Sequence, residues 1–422
     1  MTGDAETTRE SGPTLTAGRL REILQPVCRS HRVDLAGVVG LPRLLPHREA
    51  WFAWLAAGRH GDLAYLQREP AERVDPLRRH PWARSVLVFA QRYTNGWPPD
   101  DPEAAGGCGE GRPWTAGVSR YARGADYHDV LRRAIRAALA ELRRETDRLA
   151  GSRGPAGGSA LRAEERVDAG PYLEREWAWL AGLGFFGKNT LLIHPRLGSG
   201  LFLGVAVTNL AVTALADAPR PLIGPPATRR PEDDGPASLC GRCRRCLDAC
   251  PTGALVAPYR LDAGRCLSTW SIEWRGGAPA AERPRQGGLL FGCDVCQQVC
   301  PWNHKAARLL TEPPPPAYAA LPAHRDLELA DLLVMDAAAF RERFRRTPLW
   351  RCHPEGLRRN ALIAAANTGR RDLVSRIREV AAADPDPGVR ETARWALATL
   401  GCDVPAGDGD DDRAENAIPR GR

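Results

Sequence analysis

Along the first half of the chain, apolar residues switch between helical spacing and short unbroken runs. The spacing predicts a helix around residues 16–31, a strand over Val33–Val39 and helical character from Trp51 to Ala57. Ser85–Ala90 is a short apolar run and reads as a buried strand. From Asp126 to Ala150, the residues Val130, Leu131, Ile135, Leu139 and Leu142 fall near a 3.6-residue period, the stripe of an amphipathic helix. Arg162–Asp168 predicts a strand that ends on an acid. Tyr172–Leu183 predicts a helix stopped by Gly184, and Leu201–Val212 another buried strand. Strands interleaved with helices make residues 15–216 an α/β (α+β) domain.

Loop-forming stretches divide the rest. Residues 1–14 are polar and expected to be disordered. Residues 94–117, rich in Gly and Pro and holding Cys108, read as a loop insertion, and Gly151–Ser159 as a flexible connector. Residues 217–237, dense in Pro and charge, read as a linker. Pro313–Pro316 opens a helical remainder. There Gly356–Asn367, Arg371–Ala383 and Val389–Leu400 form successive amphipathic helices. The stretch Asp384-Pro-Asp-Pro-Gly joins the last two with the proline turn and helix restart of a HEAT-type repeat. Residues 313–402 are therefore expected to form a small α-helical HEAT-like repeat module. Residues 403–422 read as a disordered tail.

The strongest chemical signal is eight cysteines between Cys240 and Cys300. Cys240, Cys243, Cys246 and Cys250-Pro251 follow C-x2-C-x2-C-x3-C-P. Cys293, Cys296 and Cys300-Pro301 form a second run, preceded by a single Cys266. This is the spacing of two [4Fe–4S] clusters of the bacterial ferredoxin type, in which the cysteine before proline serves the other cluster. One cluster then takes Cys240, Cys243, Cys246 and Cys300; the other takes Cys250, Cys266, Cys293 and Cys296. Structural zinc also suits C-x2-C pairs, but it has no use for the extra cysteine before proline. Residues 238–312 thus read as a ferredoxin-like two-cluster domain. Cys28, Cys108, Cys352 and Cys402 lie outside both runs.

At 422 residues and 43% hydrophobic, the chain is long enough for two or three domains with substantial cores. No stretch approaches the ~20 apolar residues of a membrane span. Thiolate clusters and the lack of a recognisable export signal point to a cytoplasmic protein. The net charge of +8 is almost all arginine, since Lys188 and Lys305 are the only lysines. A GC-rich genome and an anionic partner such as RNA account for it equally well.

Three other stretches carry polar chemistry. In Val167-Asp168-Ala-Gly-Pro171, Asp168 stands before a predicted helix and reads either as a helix cap or as a working acid. Gly182-Leu-Gly184-Phe-Phe-Gly187-Lys188-Asn189-Thr190 offers glycines that allow close backbone approach to a ligand, without the spacing of a P-loop. Ser119–His128 is a polar, aromatic and basic cluster before a helix. His128 alone reads as a capping or surface residue.

Together these residues resemble the epoxyqueuosine reductase family over about 15–212 and 238–400. The matching stretches are R-Y-A-R-G-x-D-Y-H at 120–128, V-D-x-x-P-x-L-E-R at 167–175 and A-G-L-G-F-F-G-K-N-T at 181–190. P-T-G-A at 251–254, A-P-Y-R-L-D at 257–262, P-W-N at 301–303 and R-N-A at 359–361 match as well. The resemblance implies a cobalamin-binding catalytic domain over 15–216 and reduction of epoxyqueuosine to queuosine at the tRNA wobble position. It implies cobalamin fed with electrons by two [4Fe–4S] clusters, with Asp168 as proton donor. It places Arg73, Tyr121, Ala122, Asp168, Lys188, Asn189 and Leu192 around the cobalamin. A donor acid needs its pKa raised by desolvation, and Trp179, Phe185 and Phe186 offer apolar surroundings for it if the fold brings them near, which the sequence does not decide. The implied partners are the anticodon region of tRNA and a low-potential electron donor such as a flavodoxin or ferredoxin. A monomer without membrane contact is expected. The chain departs from the family at Ala169-Gly170, after Glu273, and in the stretches 94–117 and 217–236.

Overall fold

The computed structural model describes residues 12–41, 45–100, 117–151, 160–215, 221–227, 239–276, 278–325 and 327–404. The first part contains β1 (Thr14–Thr16), α1 (Ala17–Ser30), β2 (Leu35–Gly40), α2 (Arg48–Ala56), α3 (Pro70–Val74) and β3 (Ser85–Arg92). It continues with α4 (Tyr127–Gly151), β4 (Ala163–Arg166), α5 (Glu174–Leu180), β5 (Phe185–Phe186), β6 (Leu192–Ile193), β7 (Leu201–Thr208) and β8 (Ala211–Thr213).

Four antiparallel strands in the order β2-β3-β7-β4 form the main sheet. Every residue of β3 is buried because both faces of the sheet are covered, which is why its middle, Val86–Ala90, is an unbroken apolar run. Leu87 and Phe89 join a core with α1 and α4. Val86, Val88 and Ala90 join another with Trp177 and Leu180 of α5. α1 starts at Thr16, whose hydroxyl accepts from the Arg19 amide at 3.1 Å, and buries Leu20, Leu24 and Val27 at helical spacing.

The expected 201–212 strand breaks in two. Asn209 is buried and bonds out of the sheet: its Oδ1 accepts from the Arg162 amide at 2.8 Å and its Nδ2 donates to the Ala160 carbonyl at 3.1 Å. Beyond it, β8 leaves the main sheet and pairs in parallel with β1, so Thr14 is strand rather than disordered. The rest of the polar N-terminus, residues 1–11, lies outside the described residues, as do most of the 151–159 connector and the tail from 405. The 94–117 stretch begins as core, with Trp97 fully buried; 101–116, with Cys108, is outside the description. Part of the expected linker also packs down: Leu222 is buried, and Ile223 exchanges backbone hydrogen bonds with Ala36 at 3.0 and 3.2 Å.

The cysteine-rich segment holds α6 (Arg245–Asp248), β9 (Leu255–Ala257), β10 (Arg260–Leu261), α7 (Leu267–Ile272), α8 (Val295–Gln298) and α9 (Pro301–Leu309). Pro301 opens α9 at the position where its missing N–H costs nothing. The C-terminal part is helical: α10 (Pro322–Arg325), α11 (Leu329–Leu333), α12 (Ala337–Phe344), α13 (His353–Asn367), α14 (Val374–Ala383) and α15 (Pro387–Thr399). Asp386 caps α15, its Oδ1 accepting from the Val389 amide at 2.8 Å.

α13 departs from the expected amphipathic helix. Gly356 to Ala366 are buried without interruption, because α13 is wedged between the cysteine-rich segment and the helices α11 and α15. Its polar residues make the joint. Asn360 Nδ2 donates to the carbonyls of Ser271 and Leu290, each at 2.8 Å. Arg359 donates to the carbonyls of Arg275 and Trp274 at 2.6 and 2.5 Å. Arg358 pairs with Asp384 at 2.7 Å. Buried polar groups need such partners: the Asn360 and Arg359 bonds fix the helical module on the cysteine-rich segment, and Arg358–Asp384 ties α13 to the turn before α15 within the module.

Candidate active site and cysteine centres

Asp168 leaves β4 two residues after the strand ends. Val167 is fully buried and anchors the chain, after which Asp168 turns out to solvent at φ +46°. A non-glycine residue in the left-handed region is uncommon and costs conformational energy, and Asp and Asn tolerate it best. Asp168 caps nothing: α5 begins six residues later, its N-cap is Leu173, and that cap uses no side chain.

Tyr127, at the first turn of α4, donates its hydroxyl to Asp168 Oδ2. The ring is clamped between Phe202, parallel at 4.2 Å, and His128 at 4.1 Å. Tyr121 meets Tyr127 edge-on at 6.0 Å. Burial, and then the charge of Asp168, push both phenols' pKa values well up, so both remain hydrogen-bond donors. Arg73 holds the far side of the loop. It donates from Nη1 to the Gly170 carbonyl at 3.2 Å and from Nη2 to the Tyr65 carbonyl at 3.1 Å, while its buried Nε has no partner. The Tyr65 ring is 40% exposed, and the Arg351–Glu273 ion pair, at 2.9 and 3.1 Å, bears on its hydroxyl. Residues of all three parts of the chain therefore rim one cleft at Asp168.

Glu174 lies in this cleft, half-buried. Burial first, and the charge of Asp168 second, push its carboxyl up to about 8 from an ordinary 4.5. Below the lower value the group is neutral folded or unfolded. As pH rises from about 4.5 through about 8, only the unfolded chain ionises it freely, so the native state loses stability over that window. Glu174→Gln should remove this loss. The variant's thermal midpoint is expected to gain on the native protein's between pH 6 and pH 9, and parallel unfolding curves at the two pH values would contradict the assignment.

The eight cysteines form two groups that cross between the runs. Cys240, Cys243, Cys246 and Cys300 line one cavity of about 220 Å³ with Lys188, Asn189, Ile193, Leu239 and Trp302. In the other group, Cys266 and Cys250 bear on Cys293, and Cys293 and Cys266 on Cys296. Cys246 also bears on Cys296, so the groups adjoin. Among the described residues, no three His, Cys, Asp or Glu side chains converge as the ligands of a single metal ion do. Between Cys293 and Cys296 stands Asp294, fully inside the protein. It accepts from Ser119 Oγ at 2.5 Å and from the Arg120 amide at 2.8 Å. It thereby ties the second group to the turn that carries Tyr121.

Trp179 and Phe186 pack on His47, at 5.0 and 5.5 Å, and Phe185 packs on Trp302 at 5.4 Å; the rings beside Asp168 are Tyr127 and Tyr121. Lys188 and Asn189 face the cysteine groups. Lys188 Nζ donates to the carbonyls of Gly241 and Cys243 at 2.7 and 2.9 Å, and Asn189 Nδ2 to that of Cys296 at 3.4 Å. The side chains of Ala122 and Leu192 are buried in the core. Gly184 and Gly187 serve the β5–β6 hairpin: a Cβ on Gly184 would lie 2.6 Å from the Ile193 carbonyl oxygen, and one on Gly187 2.4 Å from the Ile193 side chain. Of the residues assigned to a cofactor, Arg73 holds the Asp168 loop through the Gly170 carbonyl, and Tyr121 packs on Tyr127, the partner of Asp168. Tyr127, Glu174 and Asp294 were not foreseen as site residues, although Tyr127 lies within the 120–128 motif and Asp294 between two cysteines.

Comparisons with known proteins agree with this layout. Residues 239–303 match the family model of a 4Fe-4S double cluster binding domain, and residues 73–154 match that of epoxyqueuosine reductase QueG, DUF1730. An epoxyqueuosine reductase of Pseudomonas aeruginosa is 35% identical over 346 residues, covering 82% of this chain and 84% of its own. The crystal structure of an epoxyqueuosine reductase with a tRNA-Tyr epoxyqueuosine-modified stem loop superposes with a TM-score of 0.73 at 29% identity. The match covers 92% of this chain and 91% of that one. The Bacillus subtilis enzyme, in a structure with its catalytic aspartate loop swung out of the active site, superposes with a TM-score of 0.70 at 27% identity, covering 91% of both chains. The sequence identity, its extent and the shared fold leave one conclusion: the chain is an oxidoreductase that belongs to the epoxyqueuosine reductase family.

Proposed function

We propose that this enzyme reduces epoxyqueuosine to queuosine at the wobble position of tRNA, with two [4Fe–4S] clusters and a cobalamin as its redox groups and Asp168 as proton donor. The observation that carries the reading is the setting of Asp168. It is a strained, exposed acid, held by Tyr127 and separated from the second cysteine group by Tyr121 and the Ser119–Asp294 bond. In the net reaction the epoxide loses its oxygen as water, and the two carbons that bore it become doubly bonded. Two electrons and two protons are consumed.

The cysteine groups suit the clusters. Four thiols around one cavity fit a body larger than a single ion, and thiolates are the ligands such clusters take. The cleft suits a polar macrocycle, since it offers the unpartnered Arg73 Nε, the Tyr65 and Tyr121 rings and the half-buried Glu174. When bound, cobalamin supplies a strongly reducing metal centre to the epoxide carbon. The chain's own residues do the rest. Tyr127 fixes one oxygen of Asp168, which leaves the other to hand a proton to the departing epoxide oxygen. Arg73 pins the loop through Gly170, and the neighbouring Glu174 retains its proton at neutral pH.

The substrate reading also draws on the related enzyme solved with a modified tRNA stem loop and on the net charge of +8. An RNA base must be splayed from its loop to enter such a cleft, and phosphate contacts make binding salt-sensitive. No helix among the described residues is long and apolar enough to cross a membrane. A cytoplasmic monomer reduced by a flavodoxin or ferredoxin completes the proposal. The test is anaerobic purification with iron and corrinoid analysis, then turnover of epoxyqueuosine-tRNA followed by mass spectrometry of its nucleosides. Queuosine should appear only with reductant, and tRNA binding should weaken as salt rises. Failure of the fully loaded protein to form queuosine, or equal turnover of the free nucleoside without salt dependence, would refute it.

A further inference from the structure

The hairpin β9–β10 turns through Ala257-Pro258-Tyr259-Arg260, with Ala257 and Arg260 paired across it. A two-residue turn with proline first and a positive φ second is the type II arrangement, whose second position belongs to Gly or Asn. Here that position is Tyr259, at φ +64°. A bulky aromatic in the left-handed region is an outlier that persists only where its surroundings hold it. Two contacts do so. The Tyr259 amide donates to the Lys188 carbonyl at 3.0 Å, and the Lys188 ammonium in turn binds the Gly241 and Cys243 carbonyls. Tyr259 is thereby laced to the loop that carries Cys240 and Cys243.

Its hydroxyl is then unexplained by the protein alone. The oxygen is buried, and among the described residues no atom accepts from it or donates to it. Phenols that are buried normally find a partner, because an unmade hydrogen bond costs more than a made one gains. The ionisable side chains that bear on this hydroxyl are Cys240 and Cys246, two thiols of the first group. A phenol keeps its proton up to about pH 10, so it is a donor at any working pH. A strained backbone and an orphaned donor thus share one residue beside one cysteine group.

We infer that Tyr259 donates a hydrogen bond to a sulfur of the cluster held by Cys240, Cys243, Cys246 and Cys300, and thereby raises the reduction potential of that cluster alone. The inference rests on the cluster reading above. A donor to cluster sulfur stabilises the reduced, more negative state, and such bonds are among the levers that set cluster potentials.

The experiment is a redox titration of the full, cluster-loaded chain and its Tyr259→Phe variant, with each cluster followed by electron paramagnetic resonance. The Cys300→Ser variant, which should lack the first cluster, identifies the signals. Phe keeps the ring and removes the donor. The first cluster's reduction equilibrium should fall about tenfold, about 59 mV for one electron, with the second unmoved. Tyr259→Gly, which suits the turn, should lower the same potential. In heavy water, the reduced native protein should show an exchangeable deuteron coupled to the first cluster, absent from the Phe variant. Unchanged potentials, or equal shifts of both clusters, would overturn the inference. Native protein with about four irons instead of about eight sinks the cluster reading, and this inference with it.

Discussion

Cys300→Ser is expected to hold about four iron atoms per chain where the native protein holds about eight, and the missing cluster should be that of the first run. By sequence, Cys300 belongs with Cys293 and Cys296, so an uncrossed arrangement predicts loss of the second cluster. The fold brings Cys300 to the other side. The turn from α8 into α9 carries its thiol into the cavity lined by Cys240, Cys243 and Cys246, while Cys266 and Cys250 stand with Cys293 and Cys296. Pro301 fixes that turn by starting α9. A serine oxygen is a poor substitute for thiolate toward these clusters, so the change acts on one ligand without moving the backbone. Iron analysis with resonance spectra of Cys300→Ser and Cys293→Ser should show loss of different clusters. If Cys300→Ser loses the signal that Cys293→Ser loses, ligation follows the runs and the crossed assignment is wrong.

The convergence of Cys240, Cys243 and Cys246 on one cavity was legible in the sequence because it is short-range geometry, set by two-residue gaps. The sheet was legible for a similar reason: β3 is covered on both faces and reads as an apolar run. What escaped depended on partners distant in sequence. The break at Asn209 is set by its bonds to Ala160 and Arg162, and nothing near Asn209 announces them. α13 looked amphipathic because Arg358, Arg359 and Asn360 are polar; they are buried, each with partners elsewhere in the fold. Proximity in sequence does not decide proximity in space. Trp179, Phe185 and Phe186 stand within twenty residues of Asp168, yet α5 and the β5–β6 hairpin carry them to His47 and Trp302. Lys188 and Asn189, in the same motif, go to the cysteine groups. Tyr127, forty-one residues before Asp168, reaches it because α4 lies along the sheet whose edge strand is β4.

Asp168→Asn should slow single-turnover reduction of epoxyqueuosine-tRNA by about 10²–10⁴-fold, the usual loss for a general acid. Asn is the fitting replacement for three reasons. It tolerates the left-handed region as Asp does, so the φ of +46° is retained. Its carbonyl oxygen can still accept from Tyr127. It cannot supply the proton that lets the epoxide oxygen leave. A purely structural Asp168 predicts the opposite outcome, since shape, turn and hydrogen bond all survive the change. The helix-cap role is already lost to it, because α5 starts from Leu173 without a side-chain cap. The measurement must therefore begin with iron and corrinoid contents equal to the native protein's and with unchanged tRNA affinity. With those matched, a rate deficit belongs to the proton. Near-normal turnover in the fully loaded variant would remove Asp168 from the chemistry and turn attention to Tyr127 and Glu174, the other donors in the same cleft.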